Sequence, residues 1–132
     1  MLYFLDTNIV SYILENRSTI VSNFIELSSK NSIRIPSIVY YEILRGLLYR
    51  DANRRQAAFD TFCQAYGIAN LTQTSLQYAA KTYATLKKNG NLIEDDDLLI
   101  GSLAVDQHAV LVTNNAKHLG RIPEIQLLEW TC

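Results

Sequence analysis

Four places along the chain carry acids or amides of the kind that gather around a divalent cation: Asp6, Glu42, the run Glu94-Asp-Asp-Asp97, and Asn115. Three unpaired carboxylates in one cleft repel one another and raise each other's pKa. A divalent cation relieves that repulsion. With only oxygen ligands and no nearby histidine or thiol, the set selects a hard ion, Mg²⁺ or Mn²⁺, over zinc. Such ions serve phosphoryl chemistry by polarising a phosphate and acidifying a water.

For that chemistry to occur, the fold must bring residues 6, 42, 97 and 115 to one place. The first stretch, Leu2-Tyr-Phe-Leu-Asp-Thr-Asn8, reads as a buried strand that ends on Asp6. An amphipathic pattern follows (Ile9, Val10, Ile13, Leu14), which predicts a short helix over 9–15. Ser18 is a plausible N-cap for a second helix with Val21, Phe24, Ile25 and Ser28 inward. Ser32–Ile35 reads as a strand stopped by Pro36. A third helix opens at Pro36 and Ser37, with Val39, Tyr40, Ile43, Leu44, Leu47 and Leu48 as its apolar stripe. After a basic connection from Arg50 to Gln56, Phe59, Phe62, Cys63 and Tyr66 have helical spacing. Ile68–Leu71 is a weak strand. Thr72 or Thr74 then caps a helix with Leu76, Ala79, Ala80, Tyr83 and Leu86 inward, broken at Asn89-Gly-Asn91. A helix from the acidic run reaches about His108, and Val110–Thr113 is the clearest buried strand. A short helical turn, Pro123 and a last strand, Ile125–Leu128, complete the pattern. Strands alternating with helices through short loops predict an α/β protein: a three-layer α/β/α sandwich with a mostly parallel sheet of about five strands. In such sheets ligands bind outside the carboxyl ends of the strands, where the strand order reverses. Asp6 stands at such an end.

Helix geometry sorts the remaining acids. Glu42 lies just outside the apolar arc of its helix, one turn before Gly46. It can therefore reach a half-buried cleft or pair with Arg45 on the rim. Asp97 sits at the edge of the face formed by Ile100, Leu103 and Ala104. Asp95 and Asp96 fall at the helix start, where capping and the macrodipole favour carboxylates, and Asp106 is set to the solvent side. Asp6 is also placed to cap the helix that follows it, and Asn115 to serve as a turn residue. His108 and His118 lack metal-ligand spacing and read as surface residues.

The 132 residues, 48% apolar and 19% charged with a net charge of −1, are those of one ordinary globular domain spanning 1–132. No basic field advertises nucleic acid, although local patches survive a neutral total. Cys63 and Cys132 make no disulfide framework, Met1 leads directly into the first strand, and no apolar run approaches a membrane span. A cytoplasmic protein without a membrane partner is expected.

Four motifs occur in order: Leu5-Asp-Thr-Asn8, Ser37-Ile-Val-Tyr-Tyr-Glu-Ile-Leu-Arg-Gly46, Ile93-Glu-Asp-Asp-Asp-Leu-Leu-Ile100 and Leu111-Val-Thr-Asn-Asn115. Together with Arg121-Ile-Pro and Glu129-Trp130, they resemble the PIN-domain ribonucleases, most closely the VapC-type toxins of bacterial toxin–antitoxin pairs. The resemblance spans essentially the whole chain. It implies a metal-dependent endoribonuclease that hydrolyses RNA phosphodiesters with a metal-activated water, leaving 5′-phosphate and 3′-hydroxyl ends. It also implies a cognate antitoxin and a homodimer. The family's acids fall on Asp6, Glu42 and Asp97, the expected ligands of Mg²⁺ or Mn²⁺. Its fourth position, often Asp, falls on Asn115, which is neutral and makes a second metal site doubtful. Further departures are Val39 in place of a usual threonine and Gly101-Ser102 in place of two alanines. Thr7, Asn8, Arg45 and Thr113 are candidate substrate contacts; Arg50, Arg54, Arg55, Lys117 and Arg121 are further basic candidates. A housekeeping RNA-processing nuclease is the alternative enzyme. A non-catalytic binding module would need to have lost function despite keeping three acids. A phospho-receiver needs an Asp after a central strand, and the third strand here ends in Leu71-Thr72.

Overall fold

The computed structural model describes residues 1–132. Its strands are β1 (Leu2–Leu5), β2 (Ser32–Pro36), β3 (Ile68–Ala69), β4 (Val110–Thr113) and β5 (Gln126–Glu129). Its helices are α1 (Thr7–Leu14), α2 (Ser18–Lys30), α3 (Ser37–Tyr49), α4 (Asn53–Tyr66), α5 (Gln73–Lys88), α6 (Asp95–Asp106) and α7 (Ala116–Leu119). All five strands run parallel in the order β3-β2-β1-β4-β5. The chain builds outward from β1 to β3, then returns to the other side of β1 with β4. The order therefore reverses between β1 and β4, and the crevice at their carboxyl ends is the expected binding position. Right-handed crossovers put helices reached in opposite directions on opposite faces. Accordingly, α1 to α4 pack together as one layer and α5 to α7 as the other, while α3 and α6 also meet.

A parallel sheet covered on both faces needs apolar residues on both sides of its strands. Phe4 and Leu5 of β1 and Leu111 and Val112 of β4 are fully buried. They meet Ile9, Ile35, Phe59, Ile100 and Leu103 in one continuous core. Each such side chain contributes about 1.5–3 kcal/mol of burial. Between α4 and β3 the chain turns at Gly67, whose φ of +87° suits a residue without Cβ. Its N–H closes the helix onto the Cys63 carbonyl at 2.8 Å.

Several boundaries and faces differ from the sequence reading. Helix α1 begins two residues earlier than expected, because Asp6 itself caps it through the Thr7 N–H. In α2 the buried residues are Ile20 and Phe24, while Ile25 is exposed. In α3 Leu48 is exposed rather than part of the buried stripe. Helix α5 is turned by about one position: Ser75, Ala79, Thr82 and Leu86 are buried, and Leu76 and Tyr83 are exposed. The cause is polar. Thr72 and Ser75 form a reciprocal capping box, and the Thr72 hydroxyl also donates to Asp106 Oδ2 on α6 at 2.8 Å. Asp106 is thus a tie between two helices rather than a free solvent group, and hydrogen bonds from Thr74, Thr72 and Gln107 hold its carboxyl below the usual range. Helix α6 stops at Asp106 because His108 turns left-handed (φ 54°) and sends the Ala109 N–H back to the Ala104 carbonyl.

Ser102, on α6, is fully buried and its hydroxyl has no hydrogen-bond partner. An unsatisfied buried hydroxyl forfeits its hydration without return. Ser102→Ala is expected to stabilise the protein by about 1 kcal/mol, raising Tm by about 3–5 °C in a calorimetric scan. An unchanged or lower Tm would show that the hydroxyl is satisfied in solution.

Candidate active site

Strand β1 delivers Asp6 to the crevice beside β4, and the pairing continues past the strand: the Asp6 N–H donates to the Val112 carbonyl at 2.9 Å. The carboxylate is held by two further donors. The Thr7 N–H reaches Oδ1 at 2.8 Å and the buried Thr113 hydroxyl reaches Oδ2 at 2.7 Å. Thr113 in turn accepts the Asn115 N–H at 2.9 Å. Asp6 therefore both caps a helix and faces the crevice, the two roles its position offered. It is only 6% exposed. Burial raises its pKa, and so does the charge of Asp96, against the opposing hydrogen bonds from Thr113 and Thr7.

Glu42 approaches from α3. Its Oε1 accepts the Thr7 hydroxyl at 2.7 Å, and Arg45 stands 3.8 Å from Oε2. The rim pairing with Arg45 thus coexists with the cleft position. Arg45 is mostly exposed and lies over the Tyr41 ring, 5.0 Å from its centroid. Burial pushes the Glu42 carboxyl up to about 7, helped by a side-chain hydrogen bond with Asp96 and by its charge. Asp97 enters from the first turn of α6. Burial, then the charges of Asp6, Asp96 and Glu94, raise it to about 6.

The sequence places Asp96 at a helix start and also lets it add charge near the site; Glu94 stands at the N-cap of α6 with no side-chain cap bond. Asp96 Oδ1 does accept the Asp97 N–H at 3.0 Å. Its charge acts on Asp6, Glu42 and Asp97 alike, so it lies among the acids. The meeting of α3 and α6 brings Asp96 towards Glu42. Asp95 is exposed, as a helix-start carboxylate should be.

The candidate substrate contacts divide. Thr7 and Thr113 are fixed on Glu42 and Asp6, as described. Asn8 turns its amide to Asn114 Oδ1 at 3.2 Å, and Asn114 donates to the Tyr12 hydroxyl at 3.0 Å, tying α1 to the β4–α7 loop. Beside Glu42 a cleft of about 220 Å³ is lined by Thr7, Ser11, Gly46, Arg50 and Arg55 among others. The sequence reads His118 as a surface residue. It is exposed, but its Nδ1 lies 2.9 Å from Asn115 Oδ1, so it belongs to the site's margin. The three-residue spacing of Asn115 and His118 across a helix start was the available signal.

The donor set suits a hard cation. It consists of buried and half-buried carboxylate oxygens whose pKa values are raised, with the exposed Arg45 as a weak countercharge. As placed, no three acidic, histidine or cysteine side chains converge closely enough to form a ready-made cation site.

The parallel sheet reverses at β1/β4, and carboxylates from the end of β1, from α3 and from α6 lie at that crevice. The PIN domain family matches residues 3–125. The chain belongs to the PIN-domain family. Among its relatives, it is 35% identical to Ribonuclease VapC2 of Rickettsia felis over 98% of each chain. It superposes with a TM-score of 0.91 and 32% identity on the structure of VapBC2 from Rickettsia felis bound to a DNA fragment from their promoter, covering 99% of this chain and 100% of that one. VapBC-1 from nontypeable Haemophilus influenzae gives a TM-score of 0.88 at 29% identity, with each chain fully covered.

Proposed function

We propose that this chain, as a single nuclease unit, is a metal-dependent endoribonuclease and the toxin of a toxin–antitoxin pair. The observation that carries the reading is the gathering of Asp6, Glu42 and Asp97, all held above ordinary carboxylate pKa values, at the β1/β4 reversal. Such repulsion persists in a fold where a function uses it. Asp6, Glu42 and Asp97 would hold Mg²⁺ or Mn²⁺. When bound, the ion supplies a Lewis acid for the phosphate and an acidified water.

The chain's own residues do the positioning. Thr113 and the Thr7 N–H fix both oxygens of Asp6, so its orientation is set before substrate arrives. The Thr7 hydroxyl does the same for Glu42. Arg45, Arg50 and Arg55 border the Glu42 side, where they can neutralise RNA phosphates flanking the reacting one. Asn115 is neutral and adds no charge to attract a second ion. The relatives named VapC and the VapBC complexes support both the ribonuclease activity and an antitoxin partner, which would block the acidic crevice. Exposed Tyr41, Leu48 and Tyr49 on α3 offer apolar surface for a homodimer. No helix is long and apolar enough to cross a membrane, and we assign the protein to the cytoplasm.

The test is incubation of purified protein, free of antitoxin, with a pool of structured cellular RNAs. Discrete cuts with Mg²⁺ or Mn²⁺ that vanish in EDTA are expected, with 5′-phosphate and 3′-hydroxyl ends. Cutting that persists in EDTA would overturn the metal-dependent reading.

A further inference from the structure

A second cavity, of about 510 Å³, opens beside Asp97 and shares no lining residue with the cleft at Glu42. Its walls combine three chemistries. Leu92 and Ile93 are apolar, and Leu92 is 41% exposed. Glu94 and Asp97 accept hydrogen bonds. Asn115, His118 and Arg121 donate them, and the last two carry flat π-systems.

Two contacts hold these donors in place. His118 Nδ1 lies 2.9 Å from Asn115 Oδ1, a hydrogen-bonding distance. The imidazole is thereby held on Asn115, two residues past the end of β4. Arg121 donates through one guanidinium nitrogen to the Leu92 carbonyl at 3.2 Å. This joins the segment after α7 to the loop before α6. Apolar surface, ring and guanidinium planes, donors and acceptors around one cavity are what an unstacked nucleobase requires. Sequence-selective RNA recognition works this way, by stacking splayed-out bases on aromatic or guanidinium planes and bonding their edges. The Glu42 cleft, by contrast, offers Arg50 and Arg55 and no such ring.

We propose that the cavity between the start of α6 and α7 is a base-binding subsite, in which His118, anchored by Asn115, and Arg121 hold one RNA base next to the scissile phosphate. It rests on the ribonuclease reading and adds the place where sequence preference is decided. His118 is a specificity residue here, and Asn115 is its support.

The experiment measures KM and kcat on short single-stranded RNAs in which each base flanking the cut is varied in turn. The proteins are the unmutated chain, His118→Ala, His118→Phe and Asp97→Asn, all with Mg²⁺ or Mn²⁺ and checked for folding by circular dichroism. Base stacking on a side chain is worth about tenfold in affinity or more. His118→Ala is therefore expected to raise KM about tenfold for the favoured base at one flanking position, flattening the preference there. His118→Phe, which keeps a flat ring, is expected to restore most of that KM. Unchanged preference at every position would overturn the subsite. So would a fall in kcat alone, which would leave His118 as a brace for Asn115. If preference is unmoved in His118→Ala while Asp97→Asn abolishes cutting, the subsite fails and the nuclease reading stands. If the unmutated protein cuts no RNA, both fail together.

Discussion

Asp97→Asn is expected to lower metal-dependent RNA cleavage by about 10²–10³-fold, the scale of losing several kcal/mol of metal-derived stabilisation. The same substitution is expected to make the metal-free protein more stable. Burial first, and then the charges of Asp6, Asp96 and Glu94, raise the Asp97 pKa to about 6. Asparagine keeps the shape and removes both the half-buried charge and its repulsion. Allowing for the solvent that screens a partly exposed carboxylate, the gain at pH 7.5 is about 1 kcal/mol, or about 4 °C in Tm. Activity and stability moving in opposite directions separates a functional acid from a structural one. Cleavage assays beside thermal melts in EDTA make the check. A variant that cuts RNA at the unmutated rate would remove Asp97 from the site.

The second large effect is a dependence of metal-free stability on pH. Glu42 and Asp97 have folded-state pKa values of about 7 and about 6, above their ordinary 4.5 and 3.8. The folded protein thus holds protons that the unfolded chain has released. Stability from these groups is complete below the unfolded values and is lost as pH rises through 6 and 7. Asp106, shifted the other way, acts below 3.8 and lies outside this window. In EDTA, Tm at pH 8 is expected to be about 5 °C lower than at pH 5.5, again after discounting for solvent. Millimolar Mg²⁺ or Mn²⁺ is expected to restore it at pH 8 and to do much less at pH 5.5, because ion and proton compete for the same oxygens. A metal-free Tm that rises between pH 5.5 and 8 would contradict the repulsion. Cleavage is expected to follow the same rise in ion affinity between pH 6 and 7.

The layered parallel fold was legible because it rests on strong signals: an apolar run ending in Asp6, a second at Val110–Thr113, and helical periodicity between them. Asp6, Glu42 and Asp97 could be singled out because each stands at the edge of a buried face, a property of one element alone. What the sequence hid depends on two elements at once. Asp96 acts on Glu42, 54 positions away from it, because α3 meets α6. Helix α5 buries Ser75 and Thr82 in preference to Leu76 and Tyr83, because a capping box and the Thr72–Asp106 bond set its rotation where hydropathy favours a different face. His118 was passed over because it has no second histidine or cysteine at ligand spacing, and its partner is an amide.

The sheet order has a consequence for timing. Asp6, Glu42 and Asp97 are all synthesised before β4, yet β4 forms the wall of the crevice and supplies the Thr113 hydroxyl that fixes Asp6. A growing chain can carry every acid and still lack the site until residue 113 has left the ribosome and threaded beside β1. The acids alone therefore do not make the site; its last wall arrives with β4.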